Sequence, residues 1–177
     1  MEYNVKKICL HVILFCLLFF TGCGIYSVRP GTIPPGIKSI AIEDVVNETA
    51  EFNLGQHVTA ALINRILSEN ILPLAEPEAA HSILRVSLTR ITDDPYTFDE
   101  TETVKEYKLT LTARYEWLAL PDNRELMKGT LSQWSVYYSD SYNNQLSPSD
   151  QITREDALQD VVEKTSQDIL EKLTSDW

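Results

Sequence analysis

Cys23 is the residue of this chain with the clearest chemistry, because a nucleophilic thiol stands there directly after a distinct N-terminal segment. Lys6 and Lys7 form a basic start, and residues 8–20 form an apolar run that one histidine interrupts. The run is short for a helix that spans a bilayer, which takes about 20 residues, and it fits the apolar part of a secretory signal. The sequence therefore predicts a signal peptide over residues 1–22, with Cys23 as the first residue of the mature chain.

The residues Thr21-Gly22-Cys23 resemble the lipobox of bacterial lipoproteins, in which an apolar residue and two small residues precede a cysteine. The resemblance implies that the Cys23 thiol is the site of lipid attachment and that its acyl chains hold the mature chain on a membrane. Gly24 implies the outer membrane, because an aspartate there would imply retention at the inner membrane. Proline and glycine residues then predict a short lipidated tether over residues 23–36. The alternative is an ordinary signal peptide in which the cysteine is a coincidence.

Two histidines and a run of carboxylates are the other candidates for chemistry. His57 and His81 have no Cys, His or carboxylate neighbours at metal-ligand spacing, so a structural role is favoured over a zinc site. The acidic residues within 93–102 could bind a divalent cation, but a solvated loop is favoured, because their spacing differs from that of an EF-hand loop. The sequence has no Gly-x-Ser-x-Gly elbow and no P-loop. It therefore predicts no enzyme, no metal site and no cofactor.

The charge balance limits the classes of partner. The chain has 26 acidic and 15 basic residues and a formal net charge of −11. Such a balance argues against a nucleic-acid partner, which would need a basic surface. It also argues against simple electrostatic adhesion to an anionic membrane.

The first half of the domain is predicted to form a strand, a helix and a second strand. Apolar residues on both faces of 37–46 predict an inner strand. The helix predicted from Asn53 onward has one apolar face, which consists of Leu54, Val58, Ala61, Leu62 and Ile66 and is widened by Ile63 and Leu67. Alternation predicts the second strand over 83–91. The Asp-Asp-Pro sequence after it predicts a polar loop over 92–103.

Residues 106–117 show the cleanest alternation in the chain. The odd-numbered positions from Tyr107 to Trp117 are apolar or aromatic, and the even-numbered positions from Glu106 to Glu116 are polar. A period of two residues is typical of a strand with one face in the core and the other in water. This segment is therefore predicted as the third strand.

The remaining segments complete the fold class. Residues 126–138 predict a fourth strand, residues 139–152 a polar loop, and a capping-box pattern at 153–156 the start of a last amphipathic helix. The order β-α-β-β-β-α predicts an α+β fold. We expect a two-layer sandwich with two amphipathic helices packed on one face of a four-stranded mixed sheet, as a single domain over 37–177.

Aromatic side chains in the two predicted loops are candidates for contact with a protein partner. They are Tyr96 and Phe98 in the first loop and Tyr142 in the second. Long loops usually carry function, and aromatic residues in a polar rim are typical anchors of an interface. Four further aromatic residues could form a binding wall: Tyr107, Tyr115, Trp117 and Trp134. A core role is favoured for Tyr107, Tyr115 and Trp117, because they follow the period of the strand.

Several stretches, taken in order, resemble the lipopolysaccharide-assembly lipoprotein family, LptE. They are the segment from Pro34-Pro35-Gly36 to Ile42, Asn47-Glu48-Thr49 with the following Leu54, and residues 80–84, 94–99 and 105–111. The resemblance covers essentially the whole mature chain. It implies an α+β fold, a place as a plug inside the LptD β-barrel of the outer membrane, and assistance in delivering lipopolysaccharide to the cell surface. The location implied is lipid-anchored, on the periplasmic side or inside the barrel lumen.

The same resemblance implies that basic residues of the sheet contact lipopolysaccharide. Four basic residues lie on the predicted second and third strands and are the candidates: Arg85, Arg90, Lys108 and Arg114. The alternative is a solvated sheet face with cross-strand ion pairs.

A second function stays open on the sequence alone. The strand with Ile40-Ala41-Ile42, the Asn-x-Thr loop and the helix also resemble the activators of peptidoglycan synthases and the curli-secretion lipoproteins. A periplasm-facing lipoprotein that regulates peptidoglycan synthesis or secretion is thus the alternative. The stretches 94–99 and 105–111 favour the lipopolysaccharide-assembly family.

Overall fold

The structure is a computed structural model, and it describes residues 33–175. Its elements, in chain order, are β1 (Ile40–Ile42), β2 (Val46–Asn47), α1 (Leu54–Glu69), β3 (Ser82–Phe98), β4 (Val104–Ala119), β5 (Arg124–Tyr138), α2 (Asp140–Asn143) and α3 (Arg154–Ser175). The predicted signal peptide, Cys23 and residues 23–32 of the predicted tether lie outside the described residues. Ile33 already packs against the core and Pro34 is buried, so the described fold begins before residue 37. No helix within residues 33–175 is long and apolar enough to cross a membrane.

The strands form one mixed, open sheet. Its order is β1-β3-β4-β5, with β2 also paired to β3. β1 and β2 run parallel to β3, whereas the pairs β3–β4 and β4–β5 are antiparallel. The predicted order β-α-β-β-β-α is confirmed, except that the first strand is split into two short pieces and the short helix α2 follows β5.

The prediction of an inner first strand is wrong, because β1 stands at the end of the strand order. β1 is apolar on both faces because each face packs against a different cluster. Ile40 faces the main core, whereas Ala41 packs with Ile83 and Leu118 in a second, small cluster on the other side of the sheet.

The main core lies between one face of the sheet and the two long helices. On β4 the odd-numbered positions from Leu109 to Trp117 are buried in the main core, which confirms the predicted face, and Leu118 at the end of the strand is buried in the small cluster on the other side. The helix α1 adds Leu54, Val58, Leu62 and Ile66, and α3 adds nine buried residues from Ala157 to Leu173. The predicted two-layer sandwich is therefore confirmed. The apolar face of α1 is narrower than predicted, since Leu67 is exposed.

The predicted loop over 92–103 is wrong, because β3 continues to Phe98 and a tight turn joins it to β4. β1 and β2 end beside Leu88, so the later part of β3 has a partner on one side alone. Pro95 is tolerated there because its missing N–H would face the free edge. The turn is held by Asp99, whose carboxylate accepts hydrogen bonds from the Thr101 hydroxyl at 2.7 Å and the Thr103 N–H at 2.9 Å.

The start of α3 follows the predicted capping box. The Thr153 N–H and hydroxyl donate to the Asp156 carboxylate at 2.8 and 2.6 Å, and the Asp156 N–H donates to the Thr153 hydroxyl oxygen at 3.2 Å. The hydrogen bonds from Thr153 lower the pKa of Asp156. α1 begins differently, because Asn53 has a left-handed backbone and forms no side-chain cap.

Candidate functional site

The open face of the sheet contains the candidate site. The helices cover the face that bears the odd-numbered residues of β4, so the even-numbered residues point to the other side. Five residues of that side form what we call the outer patch: Arg90, Tyr96, Lys108, Arg114 and Trp134. The strand registers bring residues from β3, β4 and β5 together there.

One half of the outer patch is aromatic. The ring centroids of Tyr96 and Trp134 are 6.1 Å apart. The Lys108 ammonium lies 5.0 Å from the centroid of the Trp134 ring and 6.0 Å from that of Tyr96. A cation at this distance from an aromatic face is attracted by the ring quadrupole. Both rings remain accessible, since Tyr96 is 50% exposed and Trp134 is 45% exposed.

The other half of the outer patch consists of two exposed arginines. Arg90 pairs with Thr112 of β4, and Arg114 pairs with Ser87 of β3 and Thr130 of β5. Neither arginine forms an ion pair within the part of the chain that the structure describes. The register neighbours on this face are hydroxyl side chains, so the two guanidinium groups are free to bind an anion.

Arg85, the fourth basic candidate, differs from Arg90 and Arg114 because it has an ionic partner. Its Nε donates to the Glu43 carboxylate at 2.7 Å. The structure thus divides the predicted basic residues into one ion-paired arginine, one lysine held on aromatic rings and two unpaired arginines.

The three aromatic residues predicted as partner contacts do not form one cluster. Tyr96 belongs to the outer patch, and Phe98, 57% exposed, ends β3 next to the hairpin turn. Tyr142 lies on α2, with its ring centroid 5.1 Å from that of Tyr138 and 4.6 Å from the Lys105 ammonium. The interaction of the Lys105 ammonium with the Tyr142 hydroxyl raises the pKa of Lys105. Tyr96 and Phe98 are therefore on a strand rather than in the predicted loop.

Trp134 was predicted only as part of a possible aromatic binding wall, and of the four residues of that wall Tyr115 and Trp117 are buried in the core whereas Trp134 belongs to the outer patch. It lies on β5 opposite Thr110, which the alternation already placed on the polar face of β4. The pairing of the polar face of β4 with the neighbouring face of β5 could have identified Trp134 as a residue of the open face. That pairing depends on the register between the two strands, which neither strand specifies alone.

On the helical side of the same sheet end, a polar network joins four segments. The Arg154 guanidinium donates to the Glu51 carboxylate at 2.8 Å and to that of Asp93 at 3.1 Å. The Tyr137 hydroxyl donates to Asp93 at 2.9 Å, and its ring stacks on Tyr107 at 5.4 Å between centroids. Burial, together with the hydrogen bond to Asp93, raises the pKa of Tyr137 to about 12. The network fixes the end of the sheet that carries the aromatic half of the outer patch.

A groove of about 660 Å³ opens between α1 and α3 on the helical side. His57 and Glu155 are among its polar lining residues, and Ala61, Leu158 and Val162 are among its apolar ones. His81 is elsewhere, with its Nδ1 2.9 Å from the Ser39 hydroxyl. Across residues 33–175, no group of three or more His, Cys, Asp or Glu side chains is arranged to hold a metal ion.

Several solved structures share this α+β fold. Rare lipoprotein B from Shewanella oneidensis is similar with 14% identity and a TM-score of 0.51, over 77% of this chain and 93% of that one. A PelC dodecamer from Paraburkholderia phytofirmans matches with 13% identity and a TM-score of 0.52, over 83% and 97% of the two chains. A hypothetical protein from Chlamydia trachomatis gives 12% identity and a TM-score of 0.53, over 77% and 98%. At these identities the likeness shows the fold alone.

The family assignment comes from the sequence. The family model LptE, described as lipopolysaccharide-assembly, matches residues 37–173. No curated protein matches the chain. The chain therefore belongs to the LptE family of lipopolysaccharide-assembly proteins, and the predicted resemblance is confirmed.

Proposed function

We propose that this chain is an outer-membrane lipoprotein, attached through acyl chains on Cys23, that plugs the LptD β-barrel and helps to deliver lipopolysaccharide to the outer leaflet. Membership of the LptE family supports the role in lipopolysaccharide assembly. In this proposal the protein binds and positions, and it catalyses no reaction. It sits on the periplasmic side of the membrane or inside the barrel lumen.

The observation that carries the proposal is the pair of unpaired arginines in the outer patch. Lipopolysaccharide is a phosphorylated glycolipid, and guanidinium groups bind phosphate through two parallel charge-assisted hydrogen bonds. Arg90 and Arg114 lie on neighbouring strands, and the residues directly opposite them in the registers are neutral hydroxyl residues of the same face: Thr112 opposite Arg90, and Ser87 and Thr130 opposite Arg114. Two carboxylates of the same face, Asp94 and Glu116, lie opposite basic residues in the strand registers, which leaves the positions directly opposite the two arginines neutral and favours an anion there.

The aromatic half of the outer patch supports the contact with the barrel. The lumen of an outer-membrane barrel is polar and hydrated. An interface with such a wall needs polar side chains with a few large anchors among them, and tyrosine and tryptophan are enriched as anchors. Tyr96 and Trp134 supply two exposed aromatic side chains at one end of a polar sheet face, and Phe98 is exposed at the end of β3.

Co-purification from outer membranes tests the barrel contact. We expect Tyr96→Ala with Trp134→Ala in the full chain to reduce the amount of LptD recovered, because the two anchors are lost. Phe52→Ala with Leu67→Ala is the matched control, since both side chains are large, apolar and exposed, and they lie before α1 and on α1 rather than on the strands of the outer patch. The control should recover LptD as the wild type does. An equal loss in both double variants would contradict the proposal, and so would no loss in either.

A further inference from the structure

Thr112 lies at the centre of the arginine half of the outer patch. It is directly opposite Arg90 of β3 and Ser132 of β5. Arg114 follows it by two residues on β4, so the two side chains share one face of the sheet. The two arginines are thus diagonal neighbours across the β3–β4 pair, about 7–8 Å apart, a separation that long side chains can bridge. Both guanidinium groups can therefore reach one ligand group above Thr112.

A β-bulge in β3 produces this arrangement. In the first part of β3 the even-numbered residues up to Leu88 are buried, so strict alternation would turn Arg90 toward the core as well. The register instead steps from Leu88 directly to Arg90 and leaves Thr89 as the extra residue. The Thr89 hydroxyl donates to the Thr112 carbonyl at 3.3 Å. The bulge shifts the alternation by one position and brings Arg90, which is exposed, to the face that carries Arg114.

The Thr112 hydroxyl adds a third polar group between the two arginines. Its oxygen is 2.9 Å from that of Ser132, and either group could be the donor. When Ser132 donates, the hydroxyl hydrogen of Thr112 is available to a ligand, because a hydroxyl group donates one hydrogen bond and accepts others. No acidic residue lies opposite Arg90, Thr112 or Arg114 in the described strand registers. Two cations and a hydroxyl donor thus converge on one place that favours an anion.

We propose that the outer patch recognises a single phosphate monoester of the glycolipid, an inference that rests on the proposed function. Arg90 and Arg114 bind this one group together, and the Thr112 hydroxyl donates a further hydrogen bond to it. A phosphate monoester carries about two negative charges at neutral pH and has three strong acceptor oxygens. Its charge therefore matches that of two guanidinium groups. A phosphate diester has a smaller charge and fewer free oxygens, so it satisfies the two arginines less well.

Titration calorimetry of the full chain in detergent tests the ligand chemistry. The probes are an acylated glucosamine disaccharide with one phosphate monoester, the same glycolipid with that phosphate as a methyl diester, and inorganic phosphate. We expect the monoester glycolipid to bind at least about tenfold more tightly than either of the other two. Equal affinity for the monoester and the diester would overturn the proposal. Inorganic phosphate that bound as tightly as the monoester glycolipid would also overturn it, because the ligand would then be free phosphate.

Single substitutions test whether one phosphate engages both arginines. Arg90→Gln and Arg114→Gln should each weaken binding of the monoester glycolipid by at least about tenfold, because each removes charge-assisted hydrogen bonds to the same group. A loss in one variant without the other would overturn the proposal, since a probe with one phosphate would then engage a single arginine.

A second set of variants tests the hydroxyl group. Thr112→Val keeps the shape of the side chain and should weaken binding about tenfold, whereas Thr112→Ser restores the hydroxyl and should bind as the wild type does. Thr110→Val is the matched control, because it removes the next hydroxyl group on the same face of β4, and it should also bind as the wild type does. Equal affinity of Thr112→Val and the control would overturn the role of Thr112.

An exchange of two residues separates position from charge. Arg90→Thr with Thr92→Arg keeps the net charge, the strand and the face, since Thr92 lies opposite Thr110. It moves the guanidinium group two residues, about 7 Å, farther from Arg114. We expect the exchange to weaken binding of the monoester glycolipid as much as Arg90→Gln does. Wild-type affinity of the exchanged chain would overturn the proposal, because charge on the open face would then suffice.

Failure of this site can be distinguished from failure of the proposed function. A wild-type chain that recovers LptD from outer membranes and binds lipopolysaccharide, but prefers no monoester, would overturn the site and leave the proposed function standing. A chain that binds the monoester glycolipid through both arginines but recovers no LptD would keep the site and contradict the proposed role in the barrel.

Discussion

The ammonium of Lys108 on β4 lies 5.0 Å from the ring centroid of Trp134 on β5, and 6.0 Å from that of Tyr96 on β3. One cation therefore joins three neighbouring strands at the exposed end of the sheet. The consequence for function is that Lys108 is already engaged, whereas Arg90 and Arg114 have no ionic partner among residues 33–175. The arginines, rather than the lysine, are the groups available to an anionic ligand.

Lys108→Met should lower the free energy of unfolding by about 0.5–1 kcal/mol, the usual contribution of an exposed cation–aromatic contact. Lys108→Arg should retain wild-type stability, because a guanidinium group also stacks on aromatic rings. Urea unfolding of the three proteins measures the difference. Equal stability of the methionine and arginine variants would show that the cation contributes nothing to this end of the sheet.

Leu111→Ala should destabilise the fold by about 2–5 kcal/mol, because the side chain is fully buried in the main core. Its neighbour Thr110 points to the open face, so Thr110→Ala should cost less than about 1 kcal/mol. Denaturant unfolding of both variants provides the comparison. Similar losses would mean that the two faces of β4 do not differ in burial as described.

Stability should fall at high pH through Tyr137. Its pKa is raised to about 12 in the fold, above the value of about 10 in an unfolded chain. The folded state therefore holds the proton more tightly, and the corresponding stability is complete below pH ~10 and is lost as the pH rises through ~12. Unfolding measured across this interval should show a steeper loss for the wild type than for Tyr137→Phe, which has no phenol to ionise. Parallel curves would refute the assignment.

Cys23→Ala should abolish acylation and leave the protein soluble or uncleaved, because Thr21-Gly22-Cys23 stands where lipoprotein signals are processed. Metabolic labelling with a clickable fatty acid measures this. The wild type should take up label and the variant should not. Equal label on both would remove the proposed anchor.

The sequence predicted the layers of the fold because its strongest patterns depend on local geometry. A period of two residues identified the buried face of β4, and a helical stripe identified most of the buried face of α1. The capping box at Thr153 and Asp156 was also visible, since both partners lie within one turn. None of these features requires knowledge of a neighbouring strand.

What the sequence did not predict depends on pairing. Asp93, Asp94 and Pro95 resemble a turn, yet they extend β3, because no strand pairs with its other edge beyond Leu88. The contact between Lys108 and Trp134 likewise depends on a register that neither strand specifies alone. The candidate residues were thus partly identified, but their division into paired and unpaired groups required the structure.

The central claim is that the open sheet face binds lipopolysaccharide through its unpaired arginines. The most direct measurement is the affinity of the purified protein for lipopolysaccharide after Arg90→Glu with Arg114→Glu. The matched control is Lys38→Glu with Arg124→Glu, which makes the same change in net charge at two exposed residues outside the outer patch. We predict that the arginine pair weakens binding by more than about tenfold, since charge-assisted hydrogen bonds are lost, and that the control stays within about twofold of the wild type. Equal weakening by both pairs would mean that net charge rather than the outer patch governs binding, and would contradict the claim.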